Sequence, residues 1–133
     1  KMRKNGGVLI NASSFASVIP SVGYGAYAAA KAGVTSLTRT LAAELAPYNI
    51  RVVGYIPGLI DTDLTKESQR LNGEKLYEPL AIRRFGQPED VAGTIAFLAS
   101  EAASYITGCC IEVTGGKYSV QNPMKAYEFA KEN

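Results

Sequence analysis

Val8-Leu9-Ile10-Asn11-Ala12-Ser13-Ser14 is the stretch that decides the fold of this chain. Its first three residues are apolar without interruption, which is typical of a parallel strand buried on both faces. The residues that follow are small or polar and mark the carboxyl end of that strand. Because parallel sheets bind ligands at the carboxyl ends of their strands, Ser14 lies where a binding site is expected.

A long helix is predicted to follow, beginning between Tyr24 and Tyr27 and ending before Pro47. Much of its surface is alanine, glycine or serine rather than charged residues, so we expect it to be covered on two sides, and a second subunit is one way to provide the second cover. Its apolar residues recur with the helical period, at Ala30, Val34, Leu37, Leu41 and Leu45.

The rest of the chain divides into short segments. Residues 50–56 and 109–113 are predicted strands, and a helix is predicted to begin at Gln87-Pro88, where proline and acids occupy the first turn. Residues 1–5 are interpreted as a polar lead-in and residues 15–25 as a loop. The tail, residues 117–133, is polar, with a short helix predicted over 123–131.

The polar segment from residue 61 to residue 84, with a helix start at Thr62 or Asp63, is interpreted as a mobile lid or binding segment. It carries cations that are able to meet an anionic group of a substrate, although a solvated charged surface is the commoner use of such residues. These cations are Arg70, Lys75, Arg83 and Arg84.

The order strand, helix, strand, helix, strand predicts an α/β fold with parallel strands, right-handed crossovers and helices on both faces of the sheet. Only three strands are available, and such a thin sheet leaves a wide apolar flank exposed unless something covers it. We therefore expect the chain to be part of a larger unit.

Composition excludes several classes of function. The chain has 133 residues and a net charge of +2, so no basic surface for nucleic acid or membranes is expected. It contains no histidine, which excludes Ser-His and Cys-His catalysis. The two cysteines are adjacent, so neither a disulfide nor a metal site is expected, and a reducing, cytoplasmic location is predicted.

Tyr27 and Lys31 lie four residues apart, on one face of the predicted helix. A phenol is a weak acid with a reference pKa near ~10, and a neighbouring ammonium ion favours its ionised form. A tyrosine in that setting exchanges a proton with an alcohol or carbonyl oxygen. The pair alone is weak evidence, because a chance pair on a helix surface is the commoner explanation.

Several motifs in a fixed order add to this pair. Together they resemble the short-chain dehydrogenase/reductase family over roughly residues 6–116, and within it the 3-oxoacyl-acyl-carrier-protein reductases and sugar dehydrogenases. The stretches that carry the resemblance are residues 8–14, 27–34, 37–46, 50–52, 56–58, 84–92, 97–100, 105–108 and 115–116.

The resemblance implies the carboxyl-terminal half of a Rossmann-like doubly wound parallel sheet. Residues 1–116 are then half of an NAD(P)-binding domain, and residues 117–133 are a tail. The implied activity is an NAD(P)-dependent oxidoreductase that reduces a carbonyl or oxidises a secondary alcohol of a small molecule. The implied partners are further copies of the chain, or a missing amino-terminal half.

The resemblance also assigns roles to individual residues. Tyr27 is the expected general acid/base, Lys31 assists it and holds the nicotinamide ribose, and Ser14, which has the family's spacing to Tyr27, binds the substrate oxygen. The remaining residues expected beside the nicotinamide are Pro57, Gly58, Ile60 and Thr62.

One departure from the family pattern limits these expectations. The glycine-rich turn that binds the cofactor phosphates is absent from the sequence, and the residue that chooses between NAD and NADP is absent with it. The chain alone is therefore expected to be inactive. The alternative is a truncated, inactive half that acts as an interaction or assembly module.

Overall fold

The computed structural model describes residues 1–117 and 121–132, which form five α-helices and three β-strands. The long helix and the three strands of the sequence analysis are present. In chain order the elements are α1 (Met2–Asn5), β1 (Gly7–Ala12), α2 (Gly25–Leu45), β2 (Ile50–Pro57), α3 (Asp63–Asn72), α4 (Pro88–Ala99), β3 (Cys110–Val113) and α5 (Met124–Glu132).

The strands form one parallel sheet in the order β1-β2-β3. Ala12 at the end of β1 lies beside Tyr55, and Pro57 at the end of β2 lies beside Val113. The three carboxyl ends therefore lie along one edge, and the predicted parallel α/β fold is confirmed. Within the described ranges β1 pairs with β2 only.

The two longest helices cover opposite faces of the sheet. Ile50 and Val52 of β2 pack with Ala42 of α2, whereas Arg51, which points the other way, donates a hydrogen bond to the Leu98 carbonyl of α4 at 2.8 Å. Since successive residues of a strand face opposite sides, α2 and α4 enclose the central strand between them, as expected for a doubly wound arrangement.

The packing face of α2 agrees with the predicted one only in part: Leu41 and Leu45 pack against the core, but other predicted positions are exposed. The helical period predicts Leu37 on the buried side, but Leu37 is 51% exposed, and Ala30 is also exposed. The buried positions are Ala28, Thr38 and Ala42. Their small size lets the backbone of α2 lie close to the sheet, so the contact face combines these small residues with Leu41 and Leu45.

Three local predictions were wrong in detail. The polar lead-in is the short helix α1, whose Met2 packs on the core around Ile50. The loop after β1 contains a 3₁₀ turn at Phe15–Ser17. β3 begins one residue later than predicted, at Cys110, although the Cys109 carbonyl still accepts the Gly54 N–H at 2.9 Å.

The tail is described only in part. The helix predicted over 123–131 is present as α5, while residues 118–120 and 133 of the predicted tail lie outside the described residues. Tyr127 of α5 donates a hydrogen bond to the Ala81 carbonyl, so this helix packs on the connection between α3 and α4.

Two kinds of feature are absent from the described residues. None of their helices combines the length and the apolar character needed to cross a lipid bilayer. Nor do these residues bring three or more histidine, cysteine, aspartate or glutamate side chains together in a way that would hold a metal ion.

Candidate active site

Ser14 lies directly past the carboxyl end of β1. The Ser13 N–H continues the sheet ladder by donating to the Tyr55 carbonyl at 2.9 Å. Ser14 then caps the 3₁₀ turn, and its Oγ accepts the Ala16 N–H at 3.2 Å. The side chain is buried, with 5% exposure. Because a hydroxyl is both donor and acceptor, this arrangement leaves the Ser14 proton for another oxygen.

Ser13 ties the strand end to α2. Its Oγ lies 2.7 Å from the Thr35 hydroxyl and 3.2 Å from the Lys31 carbonyl, to which it donates. The residue is buried. The first turns of α2 are therefore held against the serine turn by hydrogen bonds as well as by packing. Sequence reasoning missed this role, although Thr35, four residues after Lys31, lies on the same helix face.

Lys31 is held at the end of β1. Its Nζ donates to the Ala12 carbonyl at 3.0 Å and lies 5.7 Å from the centre of the Tyr27 ring. An ammonium group carries three donors, and this hydrogen bond uses one of them. The structure thus brings Lys31 to the same strand end as Ser14 and keeps it beside Tyr27.

Tyr27 lies in the first turn of α2 and is 45% exposed. The four-residue spacing places it on the same helix face as Lys31, which the ring contact reflects. The phenol is therefore accessible to a small molecule that approaches the carboxyl edge of the sheet. Ser14 is buried by comparison, so at the carboxyl edge of the sheet the serine is shielded from solvent and the tyrosine is not.

Pro57 and Gly58 lie at the carboxyl end of β2, on the same edge of the sheet as Ser14. Pro57 is the last residue of β2, and the Gly58 N–H donates to the Val113 carbonyl at 2.9 Å. A Cβ atom at Gly58 would lie 2.8 Å from the Thr114 Cα atom. Glycine is thus needed there, because any side chain would push the ends of β2 and β3 apart.

Ile60 and Thr62 make their hydrogen bonds with the start of α3 and with Gly86 rather than with the end of β1. Ile60 pairs with Gly86, and its carbonyl accepts the Thr65 hydroxyl at 2.7 Å. Thr62 precedes α3, and its N–H donates to Thr65 Oγ1 at 3.1 Å. Ile60 also lines a cavity of about 350 Å³ formed with residues from the α3–α4 connection and from the end of β3.

Two groups of predicted residues emerge from these contacts. Lys31 is bound to Ala12 and Ser13, the two residues that precede Ser14, and Tyr27 lies against Lys31. Ile60 and Thr62 are fixed by α3 and Gly86 instead. The roles of all the predicted site residues stay predictions.

Sequence reasoning also missed Lys117. Its Nζ lies 4.0 Å from the centre of the Phe15 ring, and Phe15 is the residue after Ser14. The two residues are distant in sequence, and no local motif joins them. Only the folded sheet reveals that Lys117 belongs to the same edge.

A protein-family model described as "Enoyl-(Acyl carrier protein) reductase" matches residues 1–117. The chain belongs to the short-chain dehydrogenase/reductase family. Among curated relatives, "Dehydrogenase/reductase SDR family member 4" of Homo sapiens is 46% identical over 116 residues, covering 86% of this chain. A "3-oxoacyl-[acyl-carrier-protein] reductase" of Synechocystis sp. is 44% identical over 116 residues, also covering 86% of this chain.

Solved structures of this family share the fold. A 7α-hydroxysteroid dehydrogenase, in complex with NADH and 7-oxo glycochenodeoxycholic acid, aligns over 91% of this chain with 38% identity and a TM-score of 0.84. A candidate 2-deoxy-d-gluconate 3-dehydrogenase of Agrobacterium tumefaciens with bound NADP aligns over 90% of this chain, with 32% identity and the same TM-score, 0.84. The Rossmann-like character expected from the sequence is confirmed.

The chain spans about half the length of these proteins. The shares covered are 42% of the human relative, 46% of the Synechocystis relative, 48% of the steroid dehydrogenase and 50% of the Agrobacterium protein.

Proposed function

We propose that this chain serves as the carboxyl-terminal half of an NAD(P)-dependent oxidoreductase that interconverts a carbonyl group and a secondary alcohol. The observation that carries the proposal is the position of Lys31, between the Ala12 carbonyl and the Tyr27 ring and beside the Ser14 turn. The names of its family relatives, which are reductases and dehydrogenases, support it. A 3-oxoacyl thioester is the first substrate to test.

The side chains supply the proton chemistry. Ser14, whose Oγ already accepts the Ala16 N–H, keeps its proton and donates a hydrogen bond to the substrate oxygen. Tyr27 transfers a proton to that oxygen during reduction and removes one during oxidation. The two hydroxyl groups together stabilise the negative charge that develops on the oxygen. The Lys31 ammonium lies close to the Tyr27 ring and places a positive charge beside the residue that exchanges the proton.

The nicotinamide cofactor supplies the hydride when it is bound. The residues present fit the nicotinamide end of that molecule. Lys31 keeps donors for ribose hydroxyl groups after its bond to Ala12, and Pro57-Gly58 forms the adjacent wall. Ile60 and Thr62 follow on the same connection.

The chain contains no glycine-rich turn for the diphosphate. That end of the cofactor therefore needs protein outside residues 1–133. Solved relatives hold NADH in one case and NADP in another, and the choice for this protein is left to titration. A cytoplasmic location also stays a prediction.

The second candidate is an inactive half that acts as an assembly module. The observation in its favour is that β1 has no strand partner on its outer edge within the described residues, while Leu37 on α2 is exposed. Both candidates need a partner that covers the outer edge of β1 or the exposed surface of α2. They differ only in whether the assembled protein turns over.

The decisive experiment uses the protein as encoded, including whatever precedes Lys1. Oxidation of NADH and NADPH is followed with acetoacetyl-CoA and with small ketones. Tyr27→Phe is expected to lower kcat by at least ~10²-fold, since general acid–base catalysis contributes that much. Tyr24→Phe is the matched control, because Tyr24 lies just before α2 and has Ala28, not a lysine, four residues later.

Two outcomes contradict the proposal. Turnover retained by a folded Tyr27→Phe variant removes Tyr27 from its role. Absence of turnover with every carbonyl compound, by a protein that binds NAD(P)H, favours the assembly module. Residues 1–133 alone are expected to bind neither NADH nor NADPH tightly in a fluorescence titration, and tight binding there would show that no other half is needed.

A further inference from the structure

Lys117 crosses the carboxyl edge of the sheet. It follows Gly115 and Gly116, whose φ angles of 64° and 76° turn the chain after β3. Its Nζ then lies 4.0 Å from the centre of the Phe15 ring. Phe15 follows Ser14, at the end of β1, so the contact joins the two outer strands across the end of β2.

The close approach of β2 and β3 helps to place Lys117 against the Phe15 ring. At Gly58 a Cβ atom would come within 2.8 Å of Thr114 Cα, so the absence of a side chain there keeps the end of β3 near Pro57-Gly58. Thr114 itself is buried. Lys117 is therefore carried by the turn that follows β3 and reaches the ring of Phe15 from there.

The ammonium group of Lys117 lacks a counterion among the described residues. Their ion pairs join Lys66 to Asp63, Arg70 to Glu67 and Arg84 to Asp90. Burial lowers the pKa of Lys117, because the charged form loses water. The face of an aromatic ring compensates only part of that loss, so an anion placed beside Nζ gains more here than at a solvated lysine.

Three of the four cations that were predicted in residues 61–84 to meet an anionic group have other partners. Arg70 and Arg84 are in ion pairs, and the Arg83 guanidinium lies 3.7 Å from the centre of the Tyr127 ring. Lys117 instead lies on the ring of Phe15, the residue after Ser14.

We propose that Lys117 is a specificity-determining residue that binds an anionic group, a carboxylate or a phosphate, on the substrate whose oxygen meets Ser14. This inference rests on the proposed oxidoreductase function. It predicts that the protein prefers small keto or hydroxy acids, or their phosphorylated counterparts, over neutral compounds of the same size.

The first test compares matched substrates in the protein as encoded. The kcat/KM for acetoacetate is divided by that for methyl acetoacetate, and the same ratio is taken for dihydroxyacetone phosphate against dihydroxyacetone. Lys117→Met is expected to lower the ratio for the correct anion by about tenfold or more, since a hydrogen bond to a charged group contributes that much. Lys117→Arg is expected to keep most of it.

Two further variants separate charge from packing. Lys125→Met removes an exposed lysine of α5 and is expected to change neither ratio. Phe15→Leu removes the ring but keeps the Lys117 charge, so it is expected to retain the preference for the anion. An equal loss of kcat/KM for anionic and neutral substrates in Lys117→Met would mean that Lys117 only positions the turn, and would overturn the proposal. A change confined to the KM of the cofactor would overturn it too.

The second test needs no turnover. Lysine side chains are converted to isotope-labelled dimethyl-lysines, and the Lys117 resonance is identified by its absence in Lys117→Met. It is expected to shift on titration with acetoacetate or with inorganic phosphate, but not with methyl acetoacetate. Binding at Lys117 without NAD(P)H oxidation would contradict the proposed function alone. Turnover with unchanged ratios and no shift would contradict the role of Lys117 alone.

Discussion

On the α4 side of the sheet, Arg51 reaches from the central strand to the carbonyl groups of Leu98, Ile106 and Ser100, at 2.8, 3.2 and 3.4 Å. On the opposite side, the outer face of α2 exposes 51% of Leu37. We call the first region (β2, β3 and α4) the closed side, and the second (the free edge of β1 and the outer face of α2) the open side. On the closed side Arg51 finds its hydrogen-bond acceptors within this chain, so we expect the residues there to govern stability. The open side adjoins Tyr27, so its residues should govern association and activity.

The largest expected effect on stability is at Arg51. Arg51→Met keeps an apolar stem but removes donors to three carbonyl groups, those of Leu98 and Ser100 at the end of α4 and that of Ile106 before β3. We expect the free energy of unfolding to fall by about 2–3 kcal/mol, since hydrogen bonds from charged groups contribute more than neutral ones. Urea unfolding measures it.

Arg39→Met is the matched control, because Arg39 is an exposed arginine of α2. It is expected to change the free energy of unfolding by less than about 0.5 kcal/mol. If both variants lose the same stability, the distinction between the closed and open sides fails.

The second prediction concerns the inner face of α2, beneath the open side. Thr38 is fully buried, accepts a hydrogen bond from Asn11 Nδ2 at 3.0 Å and donates one to the Val34 carbonyl at 2.8 Å. Thr38→Val keeps the shape and leaves the Asn11 amide without this acceptor, so about 1–2 kcal/mol of stability should be lost.

Thr40→Val is its control, because the Thr40 hydroxyl lies on the exposed surface, 3.4 Å from the Ser36 carbonyl. Thermal unfolding of both variants measures the difference, and the stability of Thr40→Val is expected to change little. A Thr38→Val variant as stable as Thr40→Val would show that the polar contacts beneath α2 do not hold it to the sheet.

These contacts also explain what the sequence revealed and what it did not. The strands follow from continuous apolar runs, and the Tyr27–Lys31 pair follows from helical spacing, both of which are local patterns. The buried face of α2 does not, because Thr38 looks like a surface residue until Asn11 of β1 supplies its partner. Lys117 and Phe15 meet only after β1, β2 and β3 are ordered side by side. Pairing between distant polar groups is invisible to periodicity.

The third prediction tests whether the open side is an interface. Leu37→Gln is expected to change the free energy of unfolding by less than about 0.5 kcal/mol, because the side chain is already half exposed. It should nevertheless shift sedimentation towards smaller species, since a buried leucine at an interface contributes about 1.5–3 kcal/mol. Leu64→Gln on α3, where the side chain is 91% exposed, is the control and should leave the assembly unchanged. Identical sedimentation of wild type and Leu37→Gln would place any partner elsewhere.

The smallest expected effect is a pH dependence on the closed side, at the start of α4. The pKa of Asp90 is lowered to about 2, first by its hydrogen bonds with the Arg84 guanidinium and then by the Gln87 N–H. A carboxyl group whose pKa is lower in the folded than in the unfolded state stabilises the fold fully above the unfolded pKa, near ~4, and loses that effect as the pH falls towards 2. The pair is partly exposed, so added salt should weaken it.

Asp90→Asn is therefore expected to flatten the decline in the urea midpoint between about pH 4 and pH 2, while lowering the midpoint slightly at neutral pH. Glu89→Gln alters the neighbouring carboxyl group of the same helical turn, which lies outside the bonds to Arg84, and should leave the slope as in the wild type. An unchanged slope in Asp90→Asn would mean that Asp90 is not ionised differently in the folded and unfolded chains. The charged cap at the start of α4 would then contribute nothing to the difference between the two sides, and the closed side would depend on the Arg51 hydrogen bonds at the other end of the helix.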